Sequence, residues 1–372
     1  MKDLKKFENH TEYENARQNL ILPNVSFCAQ ENEVHYNPIV PLDYSQEYLT
    51  FEALEDGTFQ FTNTVNYSVD EGTTWVALAA NTSTPTIASG NKIMWKATLT
   101  PSSSSNPPGI GTFSSTSNFN VEGNAMSLLF GDNFKGQTDL TGKDYVFCAL
   151  FLNNTKLINA ENLSLSATTL TECCYMGMFL GCTSLTTAPE LPATTLANYC
   201  YSSMFQDCTS LTTAPTSIGN SVTTMAESAC TYMFQGCTSL TTAPQLLATT
   251  LARSCYEGMF RGCTSLTTAP ELLATTLADA CYYSMFQGCT NLTTAPELLS
   301  TTLAYYCYGN MFNGCTSLTT APQLPVTTLA TYCYNGMFQG CTSLTTAPEL
   351  PATTLVNSCY KNMFSGCTNL NY

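Results

Sequence analysis

The chain has 372 residues, 44% of them hydrophobic and only 10% charged, with 27 acidic side chains against 12 basic ones and a formal net charge of -15. Charged residues stand far below the usual quarter, so Thr, Ser, Asn, Gln and Tyr must carry much of the surface, while the apolar share supplies a full core. An acidic balance without a Lys or Arg cluster argues against nucleic acid or an anionic membrane as partner and leaves neutral or cationic ligands, and no stretch approaches the ~20 apolar residues of a membrane span.

Residues 1–43 are a polar, acidic lead segment. Met1-Lys-Asp-Leu-Lys-Lys-Phe-Glu-Asn-His10 has a basic start with no apolar run behind it, so no secretory signal is read and folding in a cytoplasm is expected. The 19 cysteines then read as reduced thiols and not as a disulfide framework. Thr11-x-x-Glu14 is a capping box that predicts a short helix over 12–18. Leu20-Ile-Leu-Pro-Asn-Val-Ser-Phe27 and Val34-His-Tyr-Asn-Pro-Ile-Val40 read as two extended pieces around a polar turn. The segment is either a docking arm into a larger assembly or a loosely packed domain edge.

Over residues 44–144 the apolar period becomes two. Leu49-Thr-Phe51 and Phe59-Gln-Phe61 flank Glu55-Asp-Gly57, and Val65-Asn-Tyr67-Ser-Val69 with Trp75-Val-Ala-Leu78 flank a second turn, so two hairpins are expected. Ile87, the strand Ile93-Met-Trp-Lys-Ala97 and the stretch Phe113 to Val121 follow, with Pro101-Ser-Ser-Ser-Ser-Asn-Pro-Pro-Gly109 as a surface loop. Short strands at this spacing predict a small β-sandwich.

Residues 145–372 repeat one phrase, seen most clearly in Cys200-Tyr-Ser-Ser-Met-Phe-Gln-Asp-Cys208-Thr-Ser-Leu211-Thr-Thr-Ala-Pro215. Its second cysteine falls at Cys182, Cys208, Cys237, Cys263, Cys289, Cys315, Cys341 and Cys367, in steps of 26 residues except for one of 29. Such a period predicts a solenoid of about eight coils, each too small to bury its apolar face without its neighbours. The fold class expected is therefore mixed and β-rich, a solenoid preceded by a small β-sandwich and an N-terminal docking segment. Residues 145–173 are a degraded, capping copy, with Leu150-Phe151 for Met-Phe and Asn154 for the second cysteine. In each copy Ser184-Leu185-Thr-Thr-Ala188-Pro189 reads as a strand with Leu inward, Leu191 to Leu196 as a crossing, and Tyr199 to Phe205 as a helical turn placing Cys200, Met204 and Phe205 in the core. Strands stacked at the usual spacing give a rod about 40 Å long. The third copy gains residues around Ser217-Ile-Gly219 and has Ala229 where the others have cysteine, so a bulge is expected there.

The frame Met-Phe-x-Gly-Cys-Thr-Ser-Leu-Thr-Thr-Ala-Pro resembles the Ala-Phe-x-x-Cys-x-x-Leu-x-x-Ile-x-Ile-Pro repeat of BspA-type leucine-rich repeat proteins. The resemblance covers residues 145–372 and implies the architecture together with a setting, an adhesin-rich group of anaerobic gut bacteria and their phages. The repeat here is longer than the usual ~23 residues.

Little in the chain suggests chemistry. Paired thiols eight apart lack the Cys-x(2–4)-Cys knuckles of zinc sites, so a stack of small buried hydrophobes is expected, with oxidation between stacked cysteines as the alternative. No metal or other cofactor is implied. Ser68-x-Asp70-x-Gly72-x-Thr74-Trp75 resembles the Asp box of sialidases, but it stands alone and reads as a polar hairpin turn. His10 and His35 are the only histidines, and with Cys28 they form no activated arrangement, so an enzyme is not expected; a sialidase-like activity is the remote alternative.

What remains is the repeated surface. With Leu185 inward, Thr186, Thr212, Thr241, Thr267, Thr293, Thr319 and Thr345 form an outward column, a candidate ligand face. Positions such as Asn198-Tyr199, Arg253-Ser254, Asp279-Ala280 and Tyr305-Tyr306 change from copy to copy while the frame stays fixed. The reading is a non-catalytic attachment protein whose partner is a glycan or protein receptor, on a virion or similar particle, or alternatively a bacterial cell-surface adhesin. Because the chain stops inside a repeat at Tyr372, self-association or a covering partner at that edge is expected.

Overall fold

In a computed structural model, residues 25–30, 33–38 and 42–371 are described; the helix expected over 12–18 lies outside them. Met1–Asp43 and Tyr44–Tyr372 form two separate compact units. In the first, β1 (Val25–Gln30) pairs antiparallel with β2 (Glu33–Pro38), and Cys28 stands opposite His35 in the register.

The second unit opens with β3 (Leu49–Ala53), β4 (Phe59–Phe61), β5 (Val65–Ser68), β6 (Val76–Leu78), β7 (Lys92–Lys96), β8 (Phe113–Ser115) and β9 (Phe119–Asn124), followed by the single helical turn α1 (Ser127–Phe130) and β10 (Leu157–Ser164). Six strands form one sheet in the order β10-β9-β3-β7-β5-β6, and β4 with β8 form a two-stranded sheet. The pleat sends alternate residues to one side, and Phe51, Ile93, Trp95, Phe119 and Val121 are buried there. Rings from the small sheet cover them: Phe51 lies 5.4 Å from Phe59 and 4.8 Å from Phe113 between centroids.

The hairpin expected between β3 and β4 does not form. β3 pairs with β7 and β9, while β4 crosses to β8. Gly57 is not a turn residue here but a point of close approach. It exchanges both backbone hydrogen bonds with Ile87, at 3.0 and 2.7 Å, and a Cβ on it would overlap the Ser117 hydroxyl at 1.8 Å. The second expected hairpin is present, with Val65 opposite Leu78.

β10 belongs to the degraded copy of the repeat, and it joins the sheet to the stack. One edge pairs in parallel with β9, and the other bridges to the first full repeat at Asn159 and Thr187. Onward from there the chain stacks coil on coil. Parallel bridges link Thr187 to Thr213, then Thr242 to Thr268, Thr294, Thr320 and Thr346. These are single-residue bridges and not the continuous strands expected, because each stretch ends two residues later in a proline that has no N–H for a ladder. Leu185, Leu211, Leu240, Leu266, Leu292, Leu318 and Leu344 are fully buried behind them.

The largest departure from the sequence reading concerns the segment expected to be helical. It is a ribbon of successive turns in which alternate N–H groups are used in different ways. Those of Cys255, Glu257, Met259 and Arg261 bond three residues back within the coil, whereas those of Ser254, Tyr256, Gly258, Phe260 and Gly262 donate to Asp279, Cys281, Tyr283, Met285 and Gln287 of the next coil. Every fourth residue takes a left-handed φ, as at Ser254 (50°), Gly258 (56°) and Gly262 (74°). Between these points the ribbon turns two residues inward, so Cys255 and Tyr256, then Met259 and Phe260, then Cys263 are buried.

Stacking in register produces two aromatic ladders. The phenylalanine ladder runs from Phe151 through Phe179 and on to Phe364, with centroid spacings of 5.3 to 5.8 Å and planes within 8°. The tyrosine ladder begins at Phe147 and runs through Tyr175 and Tyr201, then from Tyr256 to Tyr360. The third copy interrupts it: Cys230 makes the backbone bond to the following coil that tyrosine makes elsewhere, and Ala229 holds the cysteine position. The extra residues of that copy form a loop that buries Ile218, Val222 and Met225.

Candidate recognition surface

The 18 cysteines from Cys148 to Cys367 are buried and free. The second cysteine of each copy has a definite partner. The Cys208, Cys237, Cys263, Cys289, Cys315 and Cys341 thiols each donate at 3.1 Å to the carbonyl of the phenylalanine one coil back. In the degraded copy Asn154 takes the same place and its Nδ2 donates to the Phe113 carbonyl of the sheet, at 3.1 Å. Burial pushes Cys182 and Cys341 up to about 12, so the proton that makes this bond stays in place. Among the described residues no group of three or more His, Cys, Asp or Glu is placed to hold a metal ion.

The Asp-box residues satisfy one another. Asp70 accepts from the Thr74 hydroxyl (2.6 Å), the Thr74 N–H (2.9 Å) and the Ser68 hydroxyl (2.7 Å), and these bonds lower its carboxyl to about 2. Trp75 lies between the Tyr48 ring at 4.9 Å and the Lys96 ammonium at 4.2 Å. The carboxylate is therefore engaged in holding its own turn.

In the predicted column, Thr212, Thr241, Thr267, Thr293, Thr319 and Thr345 are exposed and Thr186 is half-buried. The following threonine is exposed as well from Thr213 onward, and Thr187 is half-buried like Thr186, because the stretch does not alternate as a strand would. Several hydroxyls are engaged between coils: Thr186 donates to the Ile158 carbonyl (2.9 Å), Thr212 to that of Thr186 (3.1 Å) and Thr293 to that of Thr267 (3.4 Å).

The varying positions come together elsewhere. Arg253, Ser254 and Glu257 of one coil, Asp279, Ala280 and Tyr283 of the next, and Tyr305 and Tyr306 of the third line an open groove of about 450 Å³. All eight come from three columns of the turn ribbon, those whose residues differ from copy to copy. Tyr306 stacks on Tyr332 at 4.5 Å and meets the edges of Tyr283 and Tyr305 at 5.5 and 4.7 Å. Tyr306 and Tyr332 have φ of 54° and 58° in a column that also holds Tyr199 at 55° and, in other copies, Ser228, Ser254, Ala280 and Ser358.

The polar groups around these rings are also fixed. Asp279 Oδ1 accepts the Tyr305 N–H at 3.1 Å, and Glu257 Oε1 accepts the Tyr232 hydroxyl at 2.7 Å. Burial, followed by that bond to Glu257, raises the Tyr232 hydroxyl to about 12. Gly309 makes room for the ring cluster, since a Cβ there would come within 2.8 Å of Tyr306 and 3.0 Å of Tyr283. The sequence reading singled out the columns of 253–254, 279–280 and 305–306 but missed that of 257 and 283. Its signal was present: Met176, Ser202, Thr231, Glu257, Tyr283, Gly309, Asn335 and Lys361 share no chemistry.

Buried leucine, phenylalanine and cysteine columns repeated along a stack define a protein of the leucine-rich-repeat class. Residues 151–293 and 282–372 match the family described as BspA type Leucine rich repeat region (6 copies), and the chain belongs to that family. No curated protein and no solved structure matches the chain. Among the described residues no helix is long and apolar enough to cross a membrane.

Proposed function

We propose that the protein is a non-catalytic recognition protein in which a uniform solenoid core presents its varied ribbon edge to a receptor, glycan or protein. One observation carries this reading: the groove is lined by the columns that vary and by no residue of the repeated frame. A scaffold that keeps its interior and changes one edge can alter specificity without refolding. The threonine column is a uniform companion face that contributes contact area and little selectivity. Its shared hydroxyls bind coil to coil as well as facing outward.

The test is adhesion of the full chain to immobilised mucin, extracellular-matrix proteins and bacterial envelopes. Replacing Arg253, Asp279 and Tyr305 together by alanine is expected to abolish binding, while Thr267→Ala with Thr319→Ala is expected to reduce it only slightly. Undiminished binding by the groove variant would overturn the assignment. The setting we propose is a virion or similar particle, with a bacterial surface as the alternative. A compact N-terminal unit separate from residues 44–372 suits attachment to something larger. Peptides of residues 145–372 are expected in purified particles at structural copy number, and their recovery only from protease-shaved cells would favour the alternative.

A further inference from the structure

We infer that the groove formed by Arg253, Glu257, Asp279, Tyr283, Tyr305 and Tyr306 is a binding site for an uncharged saccharide. The inference rests on the recognition reading above and adds the chemistry of the ligand. Sugar rings are amphipathic. One face offers C–H groups that pack on an aromatic ring, and the edge carries hydroxyls that both donate and accept. A site for them therefore needs an exposed ring beside fixed, mixed hydrogen-bonding groups, in an open cleft.

The groove has each of these features. Tyr305 is 48% exposed, while its backbone is tied by its N–H to Asp279 and its ring packs edge-on against Tyr306 and, at 5.9 Å, Tyr332. It is thus an exposed platform held by a supporting cluster, a preorganised aromatic of the sort that loses little freedom on binding. Asp279 and Glu257 each have one oxygen engaged within the protein, which orients the carboxylate and leaves the second oxygen to accept from a ligand hydroxyl. Arg253 supplies donors. Its side chain is 72% exposed and meets Glu227 only at 3.8 Å, a pairing that water screens strongly. The volume is in the range of small-molecule sites.

The charges select among ligands. Two carboxylates and a net charge of -15 repel anionic sugars. Arg253 in the same groove disfavours an organic cation, which would otherwise suit tyrosines beside carboxylates. An uncharged saccharide meets neither repulsion and uses both donors and acceptors.

The experiment uses the full chain on an array of neutral, sialylated and sulfated oligosaccharides, with affinities for the best binders measured by calorimetry. Tyr305→Ala and Asp279→Asn are expected to weaken binding of a neutral glycan at least ten-fold each. The asparagine keeps an oxygen for the Tyr305 N–H, so the fold is preserved. Asn357→Ala, in the same column but outside the groove, is expected to leave binding unchanged. Binding confined to sialylated or sulfated probes would overturn the inference. No glycan binding, with adhesion to protein surfaces that still depends on Arg253, Asp279 and Tyr305, would also overturn it while leaving the recognition reading standing. Binding of any probe that all groove variants retain would remove both.

Discussion

Replacing Gly288 by alanine distinguishes a turn ribbon from a helix by the sign of the stability change. Gly288 has a φ of 75°, and the nearest atoms to an added Cβ are the Gly262 backbone N and Cα at 3.8 Å. That is ordinary van der Waals contact, so no steric clash contributes and the cost is conformational. For an L-residue the left-handed region costs roughly 1–2 kcal/mol, and a destabilisation of about 1 kcal/mol is expected. In a helix interior the same substitution would stabilise by roughly 0.5–1 kcal/mol. Asparagine tolerates the conformation better, and Asp207 and Asn153 hold the equivalent position at 59° and 55°, so Gly288→Asn should cost less than alanine. A long repeat array does not unfold in two states, so the assay is the urea midpoint combined with hydrogen exchange at neighbouring ribbon amides. The Gly288 N–H donates to the Asn313 carbonyl at 2.8 Å, and its exchange should quicken about five-fold for a loss of about 1 kcal/mol. A higher midpoint for the alanine variant would refute the ribbon.

Phe286 is fully buried and stacks at 5.7 Å on both Phe260 and Phe312; Phe286→Ala should cost about 3–5 kcal/mol, with Phe286→Leu much milder, and equal midpoints for the two would argue against the ladder as a source of stability. The thiols predict alkaline sensitivity. Burial holds Cys182, Cys200 and Cys341 at about 12 against an ordinary 9.0, so the unfolded chain releases protons first and stability falls as pH rises from about 9 to 12. A urea midpoint that stays flat between pH 8 and 11 would contradict this, as would rapid alkylation of Cys182 or Cys341 in the folded protein at pH 8. Asp70, held at about 2 by its bonds from Thr74 and Ser68, supports its turn above an ordinary 3.8 and loses that support as pH falls toward 2. Carboxyl NMR should show it titrating near 2, and a midpoint near 4 would mean that the turn bonds do not persist in solution.

How much of this was legible follows from what each coil must bury. The 26-residue step and the inward Cys, Met, Phe and Leu positions could be read directly, because a coil this small has no other way to form a core. The degraded copy was legible for the same reason: Phe151 stacks on Phe179 at 5.4 Å, and Asn154 supplies the donor that cysteine supplies elsewhere. The hairpin between β3 and β4 was misread because Glu55-Asp-Gly57 carries a turn signal, whereas Gly57 answers to Ser117, 60 positions away in the chain. No local pattern contains that contact.

The ribbon shows the division most clearly. Over ten residues, inward positions such as Cys255, Met259 and Cys263 fit a helical period as well as a period of four. The glycine before the second cysteine was the one local hint of turns. The choice is made between coils, because half of the ribbon's N–H groups find their acceptors on the following coil and a helix would leave those carbonyls without them. That choice also decides which columns adjoin. Sequence alone determined the stack, its buried columns and the fact that some positions vary; tertiary structure decided that Glu257 and Tyr283 stand beside Arg253, Asp279 and Tyr305, because residues 26 apart meet only when the coils are in register.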